Sequence, residues 1–259
     1  MSTTVSAVEI DAAGVYYADL NRQIRAAVED GARKVVLKNV AGQRYIGTNL
    51  HGAASPEELG KLRIDIDGTP GNDLGAFLDG PTITVHGNAQ DGSGNTMNRG
   101  RVVVHGRAGD ITGFSARGGE MFIRDGAGYR VAIHMKEYGE MRPVLVIGGT
   151  TQDFLGEYMA GGVLIILGLD GGSDAAHTCS HVGTGMHGGV MLIRGQVSEH
   201  QLAREVGVVD IAEADEALLT RYVADYGELF GVDVSAVSPD QFTKLQPLST
   251  RPFKKLYAY

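Results

Sequence analysis

The sequence predicts a mainly β chain: a parallel β-helix, a single-stranded solenoid of about seven coils with α-helical caps at both ends. Three observations carry this. Glycine makes up 38 of 259 residues, roughly twice the ~7% average, and 29 of the 38 lie between Gly68 and Gly195. Within that stretch short aliphatic runs end on a glycine at a near-constant step. Several of the runs also begin on a glycine pair.

In chain order, the segment from Asp19 to Gly31 puts Leu20, Ile24, Ala27 and Val28 on one helical face, the spacing of an amphipathic helix that stops at a glycine. Lys34 to Lys38 follows as a strand, so residues 1–60 read as an N-terminal α/β cap leading into the solenoid. The repeat occupies residues 61–197. Its runs are Arg63 to Ile66, Ile83 to Val85, Val102 to Val104, Met121 to Ile123, Val144 to Ile147, Leu164 to Leu167 and Met191 to Ile193. The glycines that end them are separated by 19, 19, 20, 22, 20 and 27 residues. Runs this short cannot be helices, and one coil alone cannot bury its apolar face, so the coils must stack in register. Two inward aliphatics per coil, at roughly 1.5–3 kcal/mol each when buried, supply most of the cohesion. The pairs Gly118-Gly119, Gly161-Gly162 and Gly188-Gly189 mark the corners, where the backbone of one coil approaches the next and a Cβ would clash.

Residues 198–259 read as a second cap and an arm. Ala212 to Phe230 carries Leu218, Leu219, Tyr222, Val223, Tyr226, Leu229 and Phe230 at helical spacing and ends at Gly231. It is expected to cover the open end of the solenoid. Pro239 to Tyr259, with three prolines, four aromatics and a net charge of plus three, reads as an extended arm lying on its own solenoid or on a partner.

Composition bounds the function. A formal charge of −8 and a pI near 5.5 repel phosphate backbones and anionic lipid, which argues against nucleic-acid and membrane partners. The longest apolar stretch, Val163 to Leu167, is far short of the ~20 residues of a membrane span. The start lacks a signal-peptide pattern, so a cytoplasmic location is expected. A lone cysteine, Cys179, leaves no intramolecular disulfide, all-cysteine zinc site or cysteine-held iron–sulfur cluster within the chain.

Four motifs have both chemical and plain readings. Gly183-Thr184-Gly185-Met186-His187-Gly188 has dinucleotide-binding spacing, but that motif must open a helix, and a strand-like run follows here; a repeat corner is the better reading. His177, Cys179, His181 and His187 could supply metal ligands, since i, i+2 and i+4 share one face of an extended segment. They fall, however, in the long interval where an insertion, residues 169–182, leaves the coil, and polar loop residues explain them as well. Cys179 as a nucleophile lacks a nameable orienting group. His134 to Tyr138 concentrates titratable groups between two coils, as acid/base machinery or as a solvated loop. Pro143 to Ile193 holds no Lys or Arg, which suits packed or interface surface better than an anion site.

The repeat resembles the GXGXG domain of glutamate synthases, the C-terminal part of their large chain. The resemblance spans roughly Val35 to Gly195. It rests on Gly87-Asn88-Ala89-Gln90-Asp91 running to Val104, on Glu157-Tyr158-Met159-Ala160-Gly161-Gly162, and on Gly185-Met186-His187-Gly188-Gly189; the Glu-Tyr-Met stretch is the most specific part. The resemblance implies a right-handed β-helix. It also implies a non-catalytic subunit of an oxidoreductase complex for glutamate biosynthesis or its N-methylglutamate relative, scaffolding a glutaminase (amidotransferase) subunit and an FMN-binding synthase subunit. FMN and an iron–sulfur cluster are expected in those partners, and no cofactor, metal or catalytic residue in this chain. Self-association into a homo-oligomer stays open. The corner glycines Gly118, Gly119, Gly161, Gly162, Gly188 and Gly189 are expected to set shape, and Asp153, Glu157, Tyr158 and Met159 to support a turn or a contact. The same β-helix module forms one subunit of formylmethanofuran dehydrogenase and one of the related formyltransferase/hydrolase complex, which is the rival assignment. A free-standing structural or binding solenoid is the third.

Overall fold

The computed structural model describes residues 7–171 and 177–249. Among these residues, eleven strands form one mainly parallel sheet: β1 (Ala7–Asp11), β2 (Lys34–Ala41), β3 (Arg63–Thr69), β4 (Asp79–Val85), β5 (Arg99–Val104), β6 (Glu120–Ile123), β7 (Val144–Ile147), β8 (Ala160–Ile166), β9 (Gly188–Arg194), β10 (Val206–Val209) and β11 (Phe242–Pro247). The first nine pair in chain order and in parallel; β11 then pairs antiparallel with β9, and β10 with β11. The sheet does not close on itself. All seven aliphatic runs of the repeat are strands, and their registers align residues of the same repeat position, as in Ile64, Ile83, Val102, Met121, Leu145, Leu164 and Met191.

Alternation along each strand divides the apolar residues between two cores, because successive side chains point to opposite faces. One face carries two residues per strand into the main core: Ile64 and Ile66, Ile83 and Val85, Val102 and Val104, continuing to Met191 and Ile193, all buried. The other face of β6–β9 carries Phe122, Val146, Val163, Ile165, Val190 and Leu192. These pack under helix α3 (Glu213–Phe230) through Leu219, Tyr222, Val223 and Tyr226.

That placement corrects one expectation. The helix read as a cap over the end of the solenoid lies along the face of the sheet instead. The reason is visible in β7 and β8, which are apolar on both faces and therefore need cover on both. Tyr226 donates a hydrogen bond to Arg124 O at 2.6 Å, Tyr222 donates one to Glu120 Oε1 at 3.2 Å, and Lys244 of β11 is paired with Asp215 at 2.6 Å. The helix ends, as its sequence predicts, on Gly231 in the left-handed conformation.

Two elements escape the repeat pattern. Helix α1 (Tyr17–Glu29) matches the expected amphipathic segment and buries Leu20, Ile24 and Val28. Helix α2 (Pro56–Lys61) was not expected; it starts at a capping box in which Ser55 and Glu58 each bind the other's backbone N–H, with proline at its first position. The described part of the C-terminal arm runs from a 3-10 turn, Pro239–Gln241, into strand β11 on the chain's own sheet; residues 250–259 lie outside the described residues, as do 172–176 of the insertion.

Candidate functional site

Six turns between strands follow one backbone plan. Each places three alternate residues in the left-handed region: 73/75/77, 92/94/96, 111/113/115, 130/132/134, 154/156/158 and 181/183/185. The N–H groups point alternately along the stack. In the fifth turn, Phe154 N binds Ser180 O at 2.9 Å in the next rung, Gly156 N binds Val131 O at 2.9 Å in the previous one, and Tyr158 N binds Thr184 O at 2.7 Å ahead again. The first four turns repeat this, and in the sixth Gly183 N binds Leu155 O at 2.7 Å in the previous rung, so the turns are tied along the stack by backbone bonds as the strands are.

Side-chain direction separates the three positions. The middle residue faces the core: a Cβ on Gly156 would lie 2.7 Å from Met191 Sδ, and the position is glycine or, at residue 132, alanine wherever it occurs. The flanking positions face outward and carry Phe77, Arg130, His134, Phe154, Tyr158 and His181, all at positive φ. Repetition brings these side chains into columns. His134 stacks on Tyr158 with centroids 5.2 Å apart and an interplanar angle of 8°, and Phe154 stacks on His181 at 4.8 Å and 9°. Arg130 lies over Phe154 at 4.9 Å, and Phe114 meets His134 edge-on at 6.0 Å.

The residues singled out from sequence fall into this scheme as follows. Asp153 Oδ1 accepts from Ser180 N at 2.8 Å, and Asp91 and Asp110 make the equivalent 2.9 Å bonds to Asp110 N and Tyr129 N, a column of carboxylates that stitches rung to rung. Glu157 is buried, with Oε2 lying 3.1 Å from Arg130 Nη1 outside hydrogen-bond alignment. Tyr158 is outward and Met159 fully buried. Gly118 and Gly119 lead into β6, Gly161 and Gly162 lie in β8, and Gly188 and Gly189 open β9. At Gly188 a Cβ would lie 2.7 Å from the carbonyl carbon of Ala160 and nearer still to its oxygen.

The four metal-ligand candidates do not converge. His177 is buried 3.2 Å from Thr151 Oγ1, and burial pushes its pKa down to about 4. Cys179 is buried, and desolvation pushes its thiol up to about 12, which keeps it protonated and unreactive. Gln201 donates to the backbone oxygens of both residues. His181 is outward on Phe154, while His187 Nδ1 lies 3.1 Å from Gly185 O. Among the described residues, no three His, Cys, Asp or Glu side chains are grouped as a metal site. Gly183 and Gly185 belong to a turn followed by strand β9, so the dinucleotide-like spacing is a repeat corner.

Residues 17–250 match the family model described as the GXGXG motif. The chain belongs to the GXGXG family. An uncharacterised protein of Methanocaldococcus jannaschii is 45% identical to it over 257 residues, 96% of each chain. Among solved structures, a chain of the formyltransferase/hydrolase complex from Methylorubrum extorquens, determined with methylofuran, shares the fold at a TM-score of 0.57 and 18% identity, covering 86% of this chain and 88% of that one.

The turn plan gives the GXGXG pattern a physical meaning, since three alternate left-handed residues are what alternate glycines adopt most cheaply. Here few of the turns keep the glycines. Gly92 and Gly94 fill two of three positions in the second, Gly183 and Gly185 two in the sixth, and the fourth has none. The outward columns are therefore not apparent in the sequence, although His134 and the 183/185 alternation belong to the turns that carry them. The available signal was period-two alternation inside the loops, recurring at the same offset in every rung.

No helix among the described residues is long and apolar enough to cross a membrane.

Proposed function

We propose that this chain is a non-catalytic, rigid subunit of a multi-subunit enzyme complex, that its rungs wind as a β-helix, and that the complex is of the formyltransferase/hydrolase kind. The observation that carries the reading is the fold shared across 86% of the chain with a chain of that complex. The chemistry of the chain agrees: its only thiol is buried and held protonated, and its most perturbed histidine is buried against a threonine. The function proposed for such a ladder is mechanical. A reactive fragment passed between two active sites must not escape to water, and a stiff element that fixes the separation and orientation of the two enzymes serves that end.

A second reading, amide nitrogen transfer in a glutamate-synthase-type complex, is favoured by the Glu157-Tyr158-Met159-Ala160-Gly161-Gly162 stretch. In that case FMN and an iron–sulfur cluster reside in partner subunits, alongside a glutaminase. Purification of the intact complex through a tagged copy of this chain separates the readings. An amidohydrolase and a formyltransferase among the co-purifying subunits support the first; a glutaminase and a yellow flavoprotein replace it with the second. A chain that purifies alone overturns both.

A further inference from the structure

The outward columns are expensive, and their cost identifies a binding surface. A residue with a Cβ in the left-handed region is strained by roughly 1–2 kcal/mol, and glycine would relieve it. Phe77 (φ 58°), Arg130 (57°), His134 (55°), Phe154 (64°), Tyr158 (52°) and His181 (59°) nevertheless occupy such positions. Little of that cost returns through core packing, because Phe77 is 57% and Tyr158 40% exposed. Strain concentrated on one solvent-facing strip, together with large rings left in water, is the pattern of a surface completed by a partner. Aromatic and arginine side chains are also the residue types that anchor protein interfaces.

The chemistry of the strip selects the occupant. Alongside the rings run the carboxylates of Asp91, Asp110 and Asp153, each with Oδ1 held by an N–H of the next rung. Glu157, 8% exposed and next to Tyr158 in sequence, has Oε2 3.1 Å from Arg130 Nη1 outside hydrogen-bond alignment. Arg130 is already engaged by Glu157 and Phe154. Ring faces flanked by carboxylates bind cationic side chains, through cation–π attraction and charge-assisted hydrogen bonds. A chain of net charge −8 also steers a basic partner toward it. Phosphate-bearing ligands are disfavoured by the same carboxylates.

We propose that the ring-and-carboxylate strip formed by the left-handed turns is the docking surface for an arginine- or lysine-bearing segment of a partner subunit, laid along the columns from rung to rung. The inference rests on the subunit reading above and adds the face by which the subunit is held. The test uses the intact complex purified through a tagged chain and treated with a carbodiimide, which joins a carboxylate to a contacting lysine amine with loss of water. Amide links from Asp91, Asp110 or Asp153 to lysines of the co-purifying subunit are expected. The double variant Phe77→Gly, Tyr158→Gly removes two rings while relieving backbone strain. Its melting temperature is expected to hold or rise while its affinity for the partner falls about tenfold or more; Thr84→Lys, in strand β4 and outside the turns, is expected to leave the complex intact. Links from the strip to a second copy of this chain, or a glycine variant that keeps its partner at full affinity, overturn the inference while leaving the subunit reading standing. If no subunit co-purifies, both fall.

Discussion

Replacement of Gly188 by alanine tests whether close approach of neighbouring rungs is what the corner glycines provide. The added Cβ would lie 2.7 Å from Ala160 C, whereas carbon atoms in contact sit at ~3.5–4.0 Å, so β8 and β9 must part locally by about 1 Å. The hydrogen bonds that span this point, His187 N to Met159 O at 2.9 Å and Gly188 N to Met159 O at 3.2 Å, would then exceed hydrogen-bonding distance. Two bonds at about 1 kcal/mol each, with about 1 kcal/mol of overpacking strain in the neighbours, give a destabilisation of about 3 kcal/mol. At about 2–4 °C per kcal/mol for a chain of this size, the melting temperature should fall by roughly 6–12 °C, readable by calorimetry. Gly60→Ala is the matched control: it lies in α2 with no atom within 4 Å of the added methyl, and should raise stability by about 0.5 kcal/mol. Equal melting temperatures for Gly188→Ala and wild type would refute the argument that inter-rung contact excludes a Cβ there.

Four further outcomes follow from the packing and the buried titratable groups. Tyr226→Phe removes the 2.6 Å, part-buried bond to Arg124 O; it should cost about 1 kcal/mol in urea unfolding. Tyr226→Ala should free α3 from the sheet and increase binding of a hydrophobic dye to the exposed face of β6–β9. His177, neutral and buried with a pKa near 4 against an unfolded value of 6.5, binds its proton more weakly when folded. Its contribution to stability is therefore complete above pH 6.5 and is lost as pH falls toward 4. Between pH 7.5 and 5 the wild type should lose about 2 kcal/mol more than His177→Gln, measured as the difference between their urea midpoints. Cys179, held protonated with a pKa near 12, should resist iodoacetamide at pH 8 in the folded protein and react on unfolding; rapid labelling of the native chain would contradict its burial.

The strands were legible because their period is a property of local sequence. A run such as Val102-Val103-Val104 bounded by glycines reads as a strand in isolation, and its recurrence about every twenty residues fixes the parallel order without further information. The turns were only half legible. Where glycine holds a left-handed position, as at Gly92 and Gly94, composition announces it; where Arg130, Ala132 and His134 hold the same three positions, nothing local does, because the rungs above and below impose the conformation. Helix α2 was missed for a different reason, since Pro56 to Lys61 is too short to show periodicity and only its capping box marks it. Side-chain direction at His177, Cys179, His181 and His187 was equally illegible: spacing along the chain does not reveal that His177 and Cys179 are buried while His181 turns out to solvent.

The sequence by itself determined that the chain repeats, that each repeat contributes one strand with two inward aliphatics, and that the strands stack in parallel, because strand periodicity and chain order are short-range properties. It also carried the resemblance to the family, through motifs of which Glu157-Tyr158-Met159-Ala160-Gly161-Gly162 is the most specific. Tertiary structure alone decided that α3 covers a face of the sheet, that the last strand reverses to pair with β9, and that rings as distant in sequence as His134 and Tyr158, or Phe154 and His181, stand in columns on strained turns. Those are consequences of stacking, in which residues distant in sequence become nearest neighbours, and no local pattern carries the information about which neighbour will be found there.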